Sequence, residues 1–349
     1  MIIRFVCLRL LVHICRCKFI LYFCILVLTN KMIFLQSTRK FKFVFHTVKY
    51  YSTVSSSNLV SCSHLAKLVQ NPTWHKKVRI LDATWDLDDK DYQSNHFQNR
   101  IPGSRFFSFD ECRDRTSKFP RMLPTAEEFS AYVTNLGIGN NHHVIVYDNH
   151  ETHAIYSSPR VWWMFKVFGH DNISVLEGGL TSWILEGHSV ASGNYTEIES
   201  VPSPSSAFIA NMRAELVKDF EFMQANAQTE NAVQVMDARP KQRFLGVTDE
   251  GDVDSENGHM PHSTSVPFGK ILNKETRSVR TKEEIKEYLR DSSIDINRGL
   301  IASCGSGVTA CVLSFAAFYA ANKQVPVYDG SWSEWKVRAP QLISRENQD

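Results

Sequence analysis

The sequence predicts an α/β protein: a tandem duplication of one domain, each copy a mostly parallel sheet with helices on both faces. Three observations carry this prediction. Short apolar runs that read as strands alternate with segments of helical period, the pattern of strand–helix–strand units. A unit of roughly 130 residues then occurs twice, with like spacings: Asp82 to Pro102 is 20 and Asp237 to Pro261 is 24, while Asp148 to Glu177 is 29 and Cys304 to Asp329 is 25. Each copy also carries a tryptophan six residues after an acid, Glu177 to Trp183 and Asp329 to Trp335. Strands followed by crossover helices pair in parallel and are covered on both faces.

Residues 1–54 are expected to lie outside the folded core, as a basic, apolar extension. Phe19–Leu28 is an unbroken apolar run, and Met32–Leu35 continues it past Lys31. Three readings compete. A spanning helix within residues 5–35 needs about 20 apolar residues. A secretory signal accounts for Arg4, Arg9 and the apolar run. A mitochondrial presequence is basic, lacks acids and ends in hydroxyl residues, and Arg39–Lys42 followed by Ser52–Ser57 fits that composition. The mitochondrial reading is preferred, a cytoplasmic or membrane-anchored protein being the alternative. Residues 1–31 also read as an extension ahead of Met32.

The first copy is expected over residues 60–188. Ser63–Gln70 reads as a helix, Arg79–Asp82 as a strand, and Asn99–Ser104 as a loop. Thr125 and Glu128 form a capping box that opens a helix to about Asn135. His142–Tyr147 is a strand ending at Asp148, and Pro159 opens a helix over Arg160–Phe168. Ile173–Leu176 is a strand, and Leu180–Glu186 a helix. Residues 189–206 are polar, with Ser, Gly and Pro, and read as a linker. The second copy, residues 207–345, repeats the order: helix Ala214–Ala227, strand Val233–Arg239, a loop before Pro261, and a second capping box at Thr281 and Glu284. Strand Leu300–Ser303, helix Ala310–Ala321 and strand Val325–Tyr328 complete it.

Charge divides the chain. The first 81 of its 349 residues hold 13 Lys or Arg and no acid, which leaves 26 basic against 37 acidic residues in the remainder. An acidic body offers no nucleic-acid surface. Of 8 cysteines, four fall in the first 24 residues, and there is no pair of CxxC motifs. A structural zinc site is not expected, and a cysteine-poor body fits a reducing compartment.

The duplication places Asp148 where the second copy has Cys304, so only one copy carries the thiol. After Cys304 come Gly305, Ser306, Gly307, Val308 and Thr309, then the apolar helix. In such a strand–loop–helix turn, successive N–H groups can converge on one point, and the helix N-terminus adds partial positive charge. A thiol there is favoured as thiolate, the nucleophilic form. A buried core cysteine is the bland alternative, but Gly-Ser-Gly beside it packs poorly and suits an anion cradle. Cysteine phosphatases are excluded, because the arginine they need six residues on is Ala310 here, and no Lys or Arg lies between Cys304 and Cys311.

These stretches are similar to the two-domain rhodanese family of sulfurtransferases, most closely the 3-mercaptopyruvate type. The resemblance covers about residues 65–340 and rests on Ser158–Phe165 with Phe168-Gly169-His170, on Cys304–Cys311, and on Val327–Trp332. Thiosulfate-type rhodaneses carry Arg-Lys where this chain has Gly305-Ser306. The resemblance implies a Cys304 persulfide. Sulfur would come from 3-mercaptopyruvate, or second from thiosulfate, and leave to a thiol, thioredoxin or cyanide. Loop groups of Gly305, Gly307, Val308 and Thr309 would hold donor and persulfide. Ser306 would hydrogen-bond substrate or relay a proton, loop solvation being the alternative. Arg243, four residues after Arg239, would anchor the donor's carboxylate or sulfonate. Arg239 would make domain contacts. No metal or organic cofactor is implied.

Two departures from the family pattern stand out. The second arginine expected nine residues beyond Arg243 is Asp252, and the histidine of the first-copy Gly-His-Ile-Pro-Gly loop is Arg100, which would add positive charge to the cleft. They motivate an alternative: a catalytically weak sulfur carrier or protein-interaction module on the same fold. Asp82, Asp237, His259 and the tryptophans Trp162, Trp163, Trp332 and Trp335 are read as structural, and Cys311 as buried and not a resolving thiol.

Overall fold

The computed structural model describes residues 58–88, 90–195, 206–247 and 257–345. The whole basic extension, including the apolar run considered as a spanning segment, lies outside the described residues, as do most of the linker and Asp252. Among the described residues no helix is long and apolar enough to cross a membrane.

The first half holds strands β1 (Leu59–Val60), β2 (Val78–Asp82), β3 (Ser104–Phe106), β4 (His143–Tyr147) and β5 (Ile173–Leu176). They form one parallel sheet in the order β1-β5-β4-β2-β3. Its helices are α1 (Cys62–Val69), α2 (Tyr92–Gln98), α3 (Ala126–Asn135), α4 (Ser158–Val167) and α5 (Gly179–Leu185). In the second half, β6 (Val217–Lys218), β7 (Gln234–Asp237) and β8 (Ser263–Ser265) precede a small antiparallel hairpin, β9 (Leu272–Asn273) and β10 (Ser278–Val279). Then follow β11 (Leu300–Ser303) and β12 (Val327–Tyr328), with the parallel order β6-β12-β11-β7-β8, the first sheet repeated. Its helices are α6 (Phe220–Ala227), α7 (Lys241–Leu245), α8 (Lys282–Asp291), α9 (Ala310–Ala321) and α10 (Ser331–Arg338).

Strand period sorts the side chains. Leu81, Val144, Val146, Ile173 and Val175 of the first sheet face one cluster, and Met236, Leu300, Ala302 and Val327 of the second face the same cluster. The opposite faces have private clusters: Ile80, Ile145 and Leu176 pack with Leu65 of α1 and Trp183 of α5, and Val235, Ile301 and Tyr328 with Met223 of α6 and Trp335 of α10. The two halves therefore share a core. At its centre α4 packs on α9, with Trp162 against Phe315 (5.2 Å) and Phe318 (5.5 Å). Every residue of α4 is buried. Its two charges are buried with partners, Arg160 on Asp329 at 2.7 Å and Lys166 on Asp171 at 3.0 Å.

Both capping boxes form. The Thr125 hydroxyl accepts from Glu128 N–H at 3.2 Å while Glu128 Oε2 accepts from Thr125 N–H at 2.8 Å, and Thr281 with Glu284 repeats the exchange. One element is corrected. The helix expected over Ala214–Ala227 is a 3₁₀ turn at Ala214–Leu216, edge strand β6, and then α6 capped by Asp219. Val217 and Lys218 pair with Val327 and Tyr328, far along the chain, and that pairing overrides local helical propensity.

Candidate active site

Parallel strands bring their carboxyl ends to one edge of each sheet, where ligands of open α/β sheets bind. At that edge the chain leaves β11 at Cys304, which is 2% exposed, and reaches α9 at Ala310. The loop is held from outside by its carbonyls. Cys304 C=O accepts from Trp332 N–H at 3.0 Å; Gly305 C=O accepts from Ser333 N–H at 2.9 Å and from its hydroxyl at 2.8 Å. Gly307 C=O accepts from Arg160 Nη1 and Cys311 Sγ, each at 3.2 Å. No peptide among the described residues is cis, so the next N–H points opposite to each tethered carbonyl. The N–H groups of Gly305, Ser306 and Val308 are thereby turned away from α10 and Arg160. From Gly305 to Thr309 no N–H donates to an acceptor among the described residues. Gly307 has φ +78°, and a Cβ there would lie 2.8 Å from the Asp329 carbonyl oxygen and 3.0 Å from Arg160 Nη1. Only glycine lets the chain pass so close.

The first half has the same turn with a different occupant. Tyr147 pairs with Asp82 as Ser303 pairs with Asp237, so Asp148 holds the Cys304 register. Asp148 Oδ2 accepts from the N–H groups of Tyr156 (2.8 Å), Ser157 (3.0 Å) and Ser158 (2.8 Å) at the start of α4.

The first half also reaches across to the Cys304 loop. Arg160, 1% exposed on α4, pairs with Asp329 (Nη2–Oδ1 2.7 Å) besides holding Gly307 C=O. Asp329 Oδ2 in turn accepts from Leu123 N–H at 2.8 Å. Arg121 donates from Nε to Ser306 Oγ at 3.3 Å, and its guanidinium lies 4.1 Å over Trp85. Burial and then the Arg160 guanidinium lower the Arg121 pKa, against the pull of Asp110 and of Cys304. Tyr156 faces the same place: burial, Asp86 and Cys304 all raise its phenol. A cavity of about 560 Å³ beside Trp85 and Asp86 belongs to the first half alone, lined by residues such as Asp82, His96 and His150 and not by the Cys304 loop.

Neither arginine was singled out from the sequence. Arg160 had a signal, as the lone charge in the apolar run Ser158–Phe165; Arg121, in a long loop, had none.

The other sites expected from the sequence sort plainly. Arg243 is exposed on α7, and its side chain has no partner among the described residues. Arg239 makes contacts inside the second half rather than between halves: it forks onto Asp237 (Nε–Oδ1 3.0 Å, Nη2–Oδ2 2.7 Å), donates to Gly258 C=O at 2.6 Å and lies 4.3 Å over Trp332. Arg100 does not charge the cleft. It is fully buried, donating to Gly193 C=O at 2.7 Å and Asn194 C=O at 3.4 Å, where the linker begins, because its fork can tie down an otherwise unpaired backbone. His96 bridges Asp82 (2.8 Å) and the Tyr195 hydroxyl (3.1 Å). His259 stacks on Phe244 at 4.0 Å and bonds its carbonyl, a structural role. Trp162, Trp163, Trp332 and Trp335 are buried, as is Cys311. Burial pushes the Cys62 thiol up to about 12 and raises Cys112 and Cys311 as well, which makes them inert.

The rhodanese-like domain family matches the chain twice, over residues 64–186 and 221–338. Thiosulfate sulfurtransferase of Rattus norvegicus is 41% identical over 288 residues, 81% of this chain and 93% of the relative. The human 3-mercaptopyruvate sulfurtransferase is 38% identical over 283 residues, 80% of this chain and 92% of the relative. A sulfur transferase subunit of yeast mitochondrial complex I superposes with a TM-score of 0.70 at 31% identity, covering 83% of this chain and 100% of that one. Two sheets of one topology packed on a shared core, and this similarity along four-fifths of its length, give one assignment: the chain belongs to the rhodanese family of sulfurtransferases.

Proposed function

We propose that Cys304 carries sulfur as a persulfide from a small anionic donor, 3-mercaptopyruvate first and thiosulfate second, to a thiol acceptor such as thioredoxin, or to cyanide. The observation that supports this most is the loop itself, with its carbonyls tethered outward and its N–H groups left for an anion on sulfur. The Cys304 thiolate attacks the donor sulfur, forming the S–S bond as the carbon–sulfur bond of mercaptopyruvate breaks. The electron pair leaves on the enolate of pyruvate, which takes up the proton the thiol gave. With thiosulfate the leaving group is sulfite. An acceptor thiolate then attacks the outer sulfur, and Cys304 leaves as thiolate, ready for the next donor.

Gly305, Ser306, Gly307, Val308 and Thr309 supply the collar for the persulfide, and Ser306 adds a hydroxyl. Arg243, exposed and without a side-chain partner among the described residues, can fork onto a donor carboxylate. Protein incubated with donor and no acceptor gains about 32 Da, one sulfur, and Cys304→Ala gains nothing; no gain with either donor refutes the reading. For location we favour mitochondria, on the acid-free basic extension. Residues 1–57 fused to a reporter should carry it into isolated mitochondria and be cleaved; a reporter left outside rejects this.

A further inference from the structure

The exposed position of Arg243 leaves open which cation meets the donor at the sulfur. Arg121 stands where such a cation is needed. Its Nε–H points into Ser306 Oγ at 3.3 Å, so the Ser306 proton is directed elsewhere and the hydroxyl is a fixed donor. The Trp85 ring, its centroid 4.1 Å from the guanidinium carbon, sets its orientation. The backbone is committed too. Arg121 has φ +60°, a costly conformation for a side-chain-bearing residue, and its carbonyl accepts from Arg160 Nη2 at 2.6 Å. Arg160 thus ties down both partners, Gly307 of the loop and Arg121 above it. The terminal nitrogens of Arg121 donate to no acceptor among the described residues, which leaves a two-nitrogen edge beside the loop. Cys304 is among the neighbours that favour the charged guanidinium of Arg121.

We infer that Arg121, supplied by the half that lacks the cysteine, binds the oxyanion end of the sulfur donor with its terminal nitrogens while its Nε holds Ser306. It is a specificity-determining residue for anionic donors. Guanidinium stays protonated throughout the working range, so Arg121 binds and does not relay protons. A carboxylate and the oxygens of thiosulfate share the chemistry it recognises. This deepens the persulfide reading and rests on it for the identity of the donor. Anion recognition beside Cys304 can nevertheless be measured without sulfur transfer.

Two alkylating reagents make that measurement. Iodoacetate and iodoacetamide both form a carbon–sulfur bond to Cys304 with loss of iodide, and they differ by one carboxylate. In the wild type iodoacetate should react faster relative to iodoacetamide than it does with a free thiol. Arg121→Gln should lower that ratio about tenfold, the scale of one charge-assisted pair, with iodoacetamide within threefold of its wild-type rate. Arg121→Lys, which keeps the charge and loses the fork, should fall between, and it carries the test if the Gln variant does not fold. In steady state, a KM raised for mercaptopyruvate, thiosulfate or both supports the inference and tells which oxyanion Arg121 meets. An unchanged reagent ratio, or two rates that shift equally, overturns it. If no donor ever loads sulfur yet the ratio still responds, the proposed reaction fails and the anion site stands.

Discussion

The two halves of the molecule hold the same turn and fill it oppositely. In the first, Asp148 plugs its own cradle: the Tyr156, Ser157 and Ser158 N–H groups converge on one carboxylate oxygen, and the strand-to-helix turn is a closed structural knot. In the second, Cys304 presents a thiol, the N–H groups from Gly305 to Thr309 have no partner among the described residues, and the bonds that hold the loop are accepted by its carbonyls and by the Ser306 hydroxyl. A duplicated fold thus shows how little separates a brace from a site. The same dipoles hold a resident carboxylate in one copy and, in the proposed reaction, would hold the persulfide anion in the other. Each turn is held from the other half by an arginine: Arg160 donates to Gly307 C=O of the Cys304 loop, and Arg277 donates to the His150, Glu151 and His153 carbonyls of the Asp148 turn.

That dependence is the comparison's most breakable point. Arg160 and Asp329 are both buried and paired at 2.7 Å. Removing one partner of such a pair strands the other charge, at a cost of about 3–5 kcal/mol. Arg160→Met should show that loss in denaturant unfolding, together with sulfur loading reduced at least tenfold, roughly the price of misplacing loop groups by an ångström. If loading persists at the wild-type rate in folded Arg160→Met, the collar is self-supporting and does not depend on the first half.

A smaller effect is expected at the plug. Asp148→Asn keeps an acceptor for the three amides but removes its charge, and should cost about 1–3 kcal/mol of stability. Sulfur loading of the folded protein should change less than twofold, since Asp148 braces only its own half. Loading lost in proportion to Asp148 substitution would mean that the two turns communicate.

How far the sequence shows these differences depends on where each residue's partner lies. Helices α3 and α8 were legible to their first residue because Thr125 and Thr281 meet their partners three positions on. Strands β5 and β11 were read at their observed bounds, being fully buried runs in which all but one residue each, Ser174 and Ser303, are apolar. The Cys304–Thr309 loop, Asp148 as its counterpart and the structural roles of Asp82, Asp237 and His259 were likewise readable from order alone. Edge strands β1 and β6 were not, since two residues carry no period and their pairing is long-range. The cations escaped for the same reason. Arg121 meets Ser306 across 185 positions and Arg160 meets Asp329 across 169, and the reading of Arg100 as a cleft cation failed because its partners, Gly193 and Asn194, are backbone carbonyls without a sequence signature.

The mildest contrast is in acid. The first half builds two neutral histidines into the start of β4. Burial, with Arg79 and His170 nearby, lowers His142 to about 4, and its Nδ1 accepts from Gly139 N–H at 2.8 Å. Burial, then His170 and His64, lowers His143 to about 4 as well, with Nε2 at 2.9 Å from Ser174 Oγ. An unfolded histidine titrates near 6.5, so between that pH and about 4 the unfolded chain binds more protons than the folded one. Stability from these groups is therefore complete above pH 6.5 and declines as pH falls toward 4. Hydrogen exchange at pH 5 should then show β4 and its neighbours β2 and β5 losing protection before β7 and β11. His142→Gln, which keeps an acceptor for Gly139 N–H but cannot titrate, should flatten that decline. Protection lost in β11 first, or a decline unchanged in the variant, would place the acid-sensitive groups elsewhere and leave the two halves alike in this respect.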